Sequence, residues 1–302
     1  MKNKIEGIPA GKGMRIVHNS GNVATLYVDN IFEGWELYLL LTSDRHHDSI
    51  ECDRKMELAH LEEAKKRKAF ILDVGDLFDV MQGKFDPRRS YSNLRPEYKE
   101  DNYLDAIVKE AAEFYAPYVN RFLLMGRGNH ESSVLKNNGV DLTGNLVHRL
   151  NSDKGGHIQA GGFGGWVRIL CTEGGTQRES VMIKYFHGAG GGSAPVTRGV
   201  IQTNRQAVYL PDADIVVNGH NHEAWYMPIS RERISNQGIV HQDIQHHIRT
   251  ATYKMDYGDG SKGWHVETGK PPKPCGAAWV RLYYSANSGK RRIKIEPILA
   301  IE

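Results

Sequence analysis

The stretch Phe70-Ile-Leu-Asp-Val-Gly-Asp-Leu-Phe-Asp79 decides how this chain of 302 residues is expected to fold. A short apolar run that closes in glycine is typical of a buried strand that opens into a loop at its carboxyl end. In open α/β sheets, ligands bind at that end of the strands. Gly75 allows a sharp turn, so we expect Asp76 to point into a cleft. Gly-Asp is also an ordinary turn after a strand, so the rest of the chain must decide between the two interpretations.

Four further apolar segments end in polar side chains of the same kind. Strands are expected over Glu36–Ser43, 121–126, Ser180–Phe186 and 213–217. Because side chains alternate along extended backbone, residues at i and i+2 after a strand should point the same way, as two ligands of one ion would. In chain order, the residues placed at strand ends are Asp44, His46, Asp76, Asn129, His130, His187, His220 and His222.

Helices alternate with the first strands. The pattern predicts amphipathic helices over Ser49–Lys68, Asn102–Tyr118 and Asp141–Leu150. Strand, crossover helix and strand in succession indicate a parallel sheet. A β-hairpin over Met14–Asn30 is expected to extend or cover a sheet edge. Later strands near Ile229–Ile234, Ala277–Tyr284 and Arg291–Ile298 are expected to complete a sheet.

The chain shows no internal repeat and no low-complexity linker, which favours one domain over residues 1–302. Within it, residues 1–35 form an N-terminal hairpin extension, and residues 81–102 and 253–274 are insertions expected to line the cleft. The insertion at 81–102 mixes basic and aromatic side chains, which could grip phosphates and stack on bases; a solvated loop is the commoner outcome for such a composition. The candidate substrate-binding residues are Arg88, Arg89 and Arg198.

Composition excludes several classes of protein. A balance of 39 basic and 36 acidic residues gives a net charge of +3, too small for binding nucleic acid by bulk charge, so contact with a polyanion must be local. The cysteines Cys52, Cys171 and Cys275 form no C-x-x-C pair, which argues against a disulfide framework and favours a reducing, cytoplasmic setting. The N-terminus lacks an apolar signal region and the longest apolar stretch, near Leu37–Leu41, is too short to span a membrane, so a soluble protein is expected.

The motifs D-x-H, G-D-x-x-D, G-N-H-E, H-G and G-H-x-H follow one another between Leu37 and His222. Their order resembles the calcineurin-like metallophosphoesterase superfamily. The resemblance implies an α/β fold, a four-layer α-β-β-α sandwich of two mixed sheets with the metal site at the carboxyl ends of the strands. It also implies hydrolysis of a phosphate ester by a hydroxide that bridges two ions.

Carried over residue by residue, the resemblance implies a role for each motif position. Asp76 would bridge the ions, and His130 would lie near the scissile ester as a general acid or a stabiliser of the leaving oxygen. Asp79 would orient His130. One ion would be held by Asp44, His46 and His222, the other by Asn129, His187 and His220.

Imidazole and oxygen ligands together suit Mn, Fe or Zn better than Mg or Ca. We expect two divalent ions, with Mn first and Fe or Zn as alternatives. Such ions lower the pKa of a shared water and clamp phosphoryl oxygens. From the sequence, His47 is an alternative to His46 as a metal ligand, although the alternation of side chains along an extended strand favours His46.

Two departures from the family pattern narrow the function. Val80 stands where Ser/Thr protein phosphatases carry a phosphate-gripping Arg, and Asp79 stands where Mre11-like nucleases usually carry His. The basic and aromatic loops favour a phosphodiesterase acting on nucleic acid or a nucleotide, although the small net charge argues against it. The alternatives are a phosphomonoesterase, including a protein phosphatase, and a binding module that kept its metals but lost catalysis.

Overall fold

A computed structural model describes residues 8–80, 94–99, 102–175, 177–189, 199–255, 257–258, 260–261, 264–267, 269–287 and 291–302. The candidates Arg88, Arg89 and Arg198 lie outside the described residues. The strands are β1 (Ile8–Gly11), β2 (Met14–Ser20), β3 (Val23–Val28), β4 (Glu36–Thr42), β5 (Phe70–Asp73), β6 (Phe122–Met125), β7 (Gln159–Ala160), β8 (Gly164–Glu173), β9 (Gln177–Phe186), β10 (Ile215–Asn218), β11 (Trp225–Ile234), β12 (Val240–Arg249), β13 (Gly276–Tyr284) and β14 (Ile293–Ile301). The α-helices are α1 (Arg54–Arg67), α2 (Tyr103–Tyr115), α3 (Asn129–Asn138), α4 (Leu142–Lys154), α5 (Val200–Tyr209) and α6 (Trp264–Glu267).

The strands form two mixed sheets, as the resemblance implies. The six-stranded sheet has the order β14-β13-β4-β5-β6-β7, and the eight-stranded sheet has the order β1-β2-β3-β8-β9-β10-β12-β11. The expectation that the later strands complete one sheet is wrong. β11 joins the eight-stranded sheet through β12, a strand the sequence pattern did not predict, whereas β13 and β14 join the six-stranded sheet beside β4.

One of the two large apolar clusters lies between the sheets. Leu39 and Leu41 of β4 and Ile169 of β8 are fully buried in one apolar cluster. The alternate residue Leu40 faces the other side of its sheet and packs with Leu61 of α1. Helices α1, α2 and α4 cover this outer face, and a smaller cluster on the other sheet contains Leu210 just after α5. The described residues therefore form the four expected layers, with a thinner helical layer on the eight-stranded sheet.

The N-terminal hairpin is part of the eight-stranded sheet. β2 and β3 pair antiparallel, and β3 then pairs with β8 in parallel. Leu26 of β3 is fully buried between the sheets. The hairpin thus extends a sheet edge and also contributes to the central core.

Parallel pairing brings the strand ends together. β4, β5 and β6 run in parallel in one sheet, and β9, β10 and β12 run in parallel in the other. The loop after β5 packs tightly against the loop after β6, where a Cβ on Gly75 would lie 2.4 Å from Gly128 N. Close approach of two backbones, with φ of +110° at Gly75, therefore requires glycine there. None of the helices among the described residues has the length and apolar character needed to cross a membrane.

Candidate metal centre

The loops at the strand ends bring three groups of ligand atoms together among the described residues. The first comprises Asp44, His46 and His222, the second comprises Asp76, His187 and His220, and the third comprises His46, Asp79 and His130; within each group the ligand atoms lie within 4.8 Å of one another. The first two members of each group are buried, while His222 and His220 are half-buried. The first group has the members that the resemblance assigns to one ion, and the second places Asp76, the expected bridging residue, with His187 and His220.

In the first group, two ring nitrogens and a carboxylate oxygen face each other. His46 Nε2 lies 3.3 Å from His222 Nε2, and His222 Nε2 lies 3.4 Å from Asp44 Oδ1. Asp44 Oδ1 is buried and accepts no hydrogen bond from the described residues. An unpaired buried carboxylate oxygen is costly. Its position beside two imidazoles fits a divalent cation.

In the second group, Asp76 and Asn129 join the histidines. Asp76 Oδ2 lies 3.2 Å from His187 Nε2. Asn129 Oδ1 lies 3.1 Å from His187 Nε2 and 2.7 Å from His220 Nδ1. Asn129 begins α3 directly after the loop that follows β6. The donor set of imidazole, carboxylate and amide oxygen fits Mn, Fe or Zn.

Each of the two carboxylates uses one oxygen to fix the neighbouring loop. Asp44 Oδ2 accepts the backbone N–H of His220 at 2.8 Å, which leaves Oδ1 to face His222. Asp76 Oδ1 accepts the backbone N–H of His130 at 2.9 Å, which leaves Oδ2 to face His187. The two carboxylates therefore connect loops from different strands and still present an oxygen to the ligand groups.

The backbone at these positions differs from the expected extended form. Asp44, His46, Asp76, His220 and His222 all have positive φ, between 47° and 77°. Alternation along extended backbone is therefore the wrong reason for the convergence of Asp44 and His46, although the side chains do converge. Left-handed backbone is uncommon for non-glycine residues and concentrates at functional sites, where packing and hydrogen bonds compensate its cost.

The electrostatics of the site favour charged carboxylates. Burial alone would raise the pKa of Asp44, but the neighbouring His222 imidazole, with Nε2 3.4 Å from Oδ1, holds that pKa well below its usual range. Burial would likewise lower the pKa of His187, but the charge and hydrogen bond of Asp76 raise it to about 9. Positive charge is thus stabilised strongly beside Asp76. A divalent metal would compete with the proton for the His187 ring nitrogen, because only a deprotonated nitrogen can bind the metal.

The partners of Asp79 correct one expectation. His130 Nδ1 donates to the main-chain carbonyl of Asp79 at 2.5 Å, which presents Nε2 toward Asp76 Oδ2 at 3.7 Å. The Asp79 carboxylate instead lies 2.9 Å from His46 Nδ1 and 3.1 Å from Lys254 Nζ, while its distance to His130 Nδ1 is 4.0 Å. The side chain of Asp79 therefore fixes the ring of His46, and its backbone fixes the ring of His130.

His47 does not compete for the site. Its ring nitrogens lie 2.9 Å from Glu57 Oε2 and 3.1 Å from Glu110 Oε2, behind the ligand groups. Arg45 also points away, and its fully buried guanidinium pairs with Asp73 at 2.6 Å and Glu57 at 2.8 Å. Arg45 and His47 thus belong to a buried polar network.

Two residues at the site were not predicted from the sequence. Glu131 is buried and accepts the backbone N–H groups of Gly128 at 2.9 Å and Phe78 at 2.9 Å. Burial and the charge of Asp76 raise the pKa of Glu131 to about 8. Glu131 stands three residues after the residue that caps α3, and Glu at this position is a sequence pattern typical of a helix N-terminus. This pattern could have identified Glu131 from the sequence. Lys254 has no such signal, because its contact with Asp79 joins residues 175 positions apart.

The described part of the 81–102 insertion has a structural role. Arg95 donates to the backbone carbonyls of Ser49 and Cys52, each at 3.0 Å. The hydroxyl of Tyr98 donates to Glu110 at 2.5 Å, and the residue is 2% exposed. Arg95 and Tyr98 therefore hold this part of the insertion against the rest of the fold.

Similarity to known proteins is limited to overall structure. No protein-family model and no curated protein matches the sequence. GAP50 of Plasmodium matches with 14% identity and a TM-score of 0.40, covering 88% of this chain and 89% of its own. A zinc complex of Vps29 from Entamoeba histolytica matches with 10% identity and a TM-score of 0.34, covering 87% and 98%. A metallophosphoesterase from Sphaerobacter thermophilus matches with 12% identity and a TM-score of 0.34, covering 87% and 88%. Because the sequence identities and TM-scores are this low, the function of the protein must be argued from the residues of the site itself.

Proposed function

We propose that this protein is a metal-dependent phosphoesterase of the calcineurin-like superfamily. The observation that carries the proposal is the pair of adjacent ligand groups, Asp44 with His46 and His222, and Asp76 with His187 and His220. The orphan oxygen Asp44 Oδ1 supports a cation at the first group. With Asn129 in the second group, these residues would hold two divalent ions, with Mn as our first choice.

When bound, a metal pair supplies an activated water and neutralises charge on a phosphoryl group. The chain's own residues set the geometry around it. Asp79 holds the ring of His46 through Nδ1, which directs Nε2 of His46 to the ligand group. The carbonyl of Asp79 fixes the Nδ1–H tautomer of His130, so Nε2 of His130 can exchange a proton with an ester oxygen.

For the substrate we propose a phosphodiester of nucleic acid or a nucleotide. Val80 in place of the phosphate-gripping Arg of Ser/Thr phosphatases supports a diester over a phosphomonoester. We further propose a reducing, cytoplasmic setting. The cysteines Cys52, Cys171 and Cys275 support it, because all three are buried and no disulfide joins them.

Turnover of two chromogenic esters tests the function. With Mn, kcat/KM for bis(p-nitrophenyl) phosphate should exceed that for p-nitrophenyl phosphate by roughly tenfold or more, a difference of about 1.4 kcal/mol in transition-state stabilisation. EDTA should abolish both activities. A preference for the monoester would indicate a phosphomonoesterase. No turnover with Mn, Fe or Zn would indicate a binding module that lost catalysis.

A further inference from the structure

The chain that follows β12 lies against the loop that follows β4. This connecting segment, residues 250–254, comes after the last motif of the candidate metal centre. Its backbone is fixed on two sides, because the N–H of Asp53 donates to the carbonyl of Tyr253 and the N–H of Gly276 donates to the carbonyl of Thr252, each at 2.8 Å. The connecting segment is therefore held between the turn that precedes α1 and the start of β13.

The connecting segment places two donors on the carbonyl of Asp44. Thr252 Oγ1 donates to that carbonyl at 2.8 Å, and the N–H of Tyr253 donates to it at 3.1 Å. Thr252 is fully buried. Asp44 has a φ of 50°, a left-handed backbone that a non-glycine residue keeps only when its surroundings hold it there. The direction of the Asp44 side chain therefore depends on these two hydrogen bonds.

Lys254 binds the carboxylate that holds His46. Its side chain is 9% exposed, and Nζ lies 3.1 Å from Asp79 Oδ1 and 3.5 Å from Glu51 Oε2. The same oxygen of Asp79 lies 2.9 Å from His46 Nδ1. A buried carboxylate requires a partner of opposite charge, and Lys254 supplies it. One carboxylate oxygen thus joins the ammonium group to the ring of a proposed metal ligand.

Both residues of the connecting segment lead to members of the first ligand group. The second group is fixed by other contacts, because Asp76 Oδ1 accepts the N–H of His130 at 2.9 Å and Asn129 Oδ1 lies 3.1 Å from His187 Nε2. The two ligand groups therefore have different supports. Loss of the contacts made by the connecting segment should weaken one ion and spare the other, whereas a role in packing alone should affect both alike.

We propose that Thr252 and Lys254 are positioning residues for the first ion. Thr252 fixes the backbone of Asp44. Lys254 fixes Asp79, which holds the ring of His46. This inference rests on the proposed function and deepens it, because it assigns the affinity of one of the two ion sites to a segment outside the motifs. Residues that orient metal ligands typically change metal affinity by about 10- to 100-fold when they are mutated.

Calorimetric titration with Mn tests the proposal without any substrate. The metal-free wild type should bind two ions per chain. Lys254→Met should weaken one of them by roughly 10- to 100-fold and change the other by less than about threefold. Lys154→Met is the matched control, because it removes an ion-paired lysine of α4 and should leave both affinities unchanged. Equal weakening of both ions, or no weakening of either, overturns the proposal.

A second background identifies the ion that Lys254 affects. His222→Ala removes a ligand of the first group, so this variant should bind one Mn, at the second group. Adding Lys254→Met to His222→Ala should change the remaining affinity by less than about threefold. A further loss of about tenfold or more would show that Lys254 acts on the second ion or on the whole fold, and would overturn the proposal.

A double-mutant cycle tests the route through Asp79. Asp79→Asn should by itself weaken the first ion. Because Lys254 acts through that carboxylate, Lys254→Met should add little to the loss in Asp79→Asn. Two losses that add in full would show that Lys254 affects the ion by another route, which overturns its role as a positioning residue for His46.

Two variants of Thr252 test the other half of the proposal. Thr252→Val keeps the shape of the side chain but removes the hydroxyl donor, so it should weaken the first ion by roughly tenfold or more. Thr252→Ser keeps the donor and should retain the affinity. Equal affinities in the two variants overturn the role of Thr252. This pair also decides the proposal if Lys254→Met fails to fold.

The Mn affinities separate this inference from the proposed function. A wild type that binds two Mn but hydrolyses neither chromogenic ester would contradict the phosphoesterase, and the variants would still decide whether Thr252 and Lys254 position the first ion. Turnover by the wild type, with unchanged ion affinities in the variants, would overturn the inference alone. A wild type that binds no Mn would overturn both.

Discussion

At the scale of single residues, backbone and side-chain atoms of one residue have different partners. Asp79 illustrates this, because its carbonyl fixes His130 while its carboxylate fixes His46. Asp44 and Asp76 each divide their two oxygens between a backbone N–H and a ligand group. Metal affinity and proton transfer should therefore be separable by mutation.

His130→Ala should lower kcat by roughly 10² to 10⁴-fold, the usual contribution of a positioned acid. Two Mn ions per chain should remain bound, because the His130 side chain belongs to neither ligand group proposed above. Elemental analysis and steady-state kinetics measure the two effects. Asp76→Asn is the contrasting variant and should lose metal together with activity. A decrease in kcat below about tenfold in His130→Ala would contradict the assigned role.

At the scale of elements, the loops after parallel strands interlock through close backbone contact. Gly219, in the turn after β10, packs against Ser43 and Asp44, which follow β4 of the other sheet. A Cβ at Gly219 would lie 2.2 Å from Ser43 Oγ and 2.6 Å from Asp44 Oδ2. The two sheets are thus joined at the ligand groups as well as through their apolar core.

Gly219→Ala should displace Asp44 and weaken Mn binding by roughly 10- to 100-fold, the usual effect of moving a residue that orients a ligand. Calorimetric titration with Mn measures the affinity. Gly21→Ala is the matched control, because a Cβ there would meet nothing within 4 Å. Unchanged Mn affinity in Gly219→Ala would show that Ser43 and Asp44 move aside without cost.

At the scale of the whole molecule, a buried polar network joins the six-stranded sheet to its helices. Arg45 pairs with Asp73 of β5 and Glu57 of α1, and His47 pairs with Glu57 and with Glu110 of α2. Burial would raise the pKa of Glu57, but the charge of His47 and its hydrogen bond lower it to about 2. The network should therefore make stability depend on pH.

A carboxylate whose pKa is lowered by folding stabilises the folded state at pH values above the group's ordinary pKa. That contribution to the free energy of unfolding is lost as the pH falls through the folded-state pKa. For Glu57, the change from 4.5 to about 2 corresponds to about 3 kcal/mol in the free energy of unfolding, lost between pH 5 and 2. Urea unfolding at several pH values measures it. Glu57→Gln should be less stable at pH 7 and should lose less stability on acidification. Parallel curves for both proteins would contradict the assignment.

The sequence by itself determined the strand ends, the fold class and the ligand types, because apolar runs closed by Asp, Asn or His are local patterns. It also gave the order of motifs that indicates a metal centre. Tertiary structure alone decided that His47 faces Glu57 while His46 faces His222, and that Lys254 reaches Asp79. It also divided the later strands between two sheets. These outcomes depend on left-handed turns and on contacts between distant residues, which local periodicity does not encode.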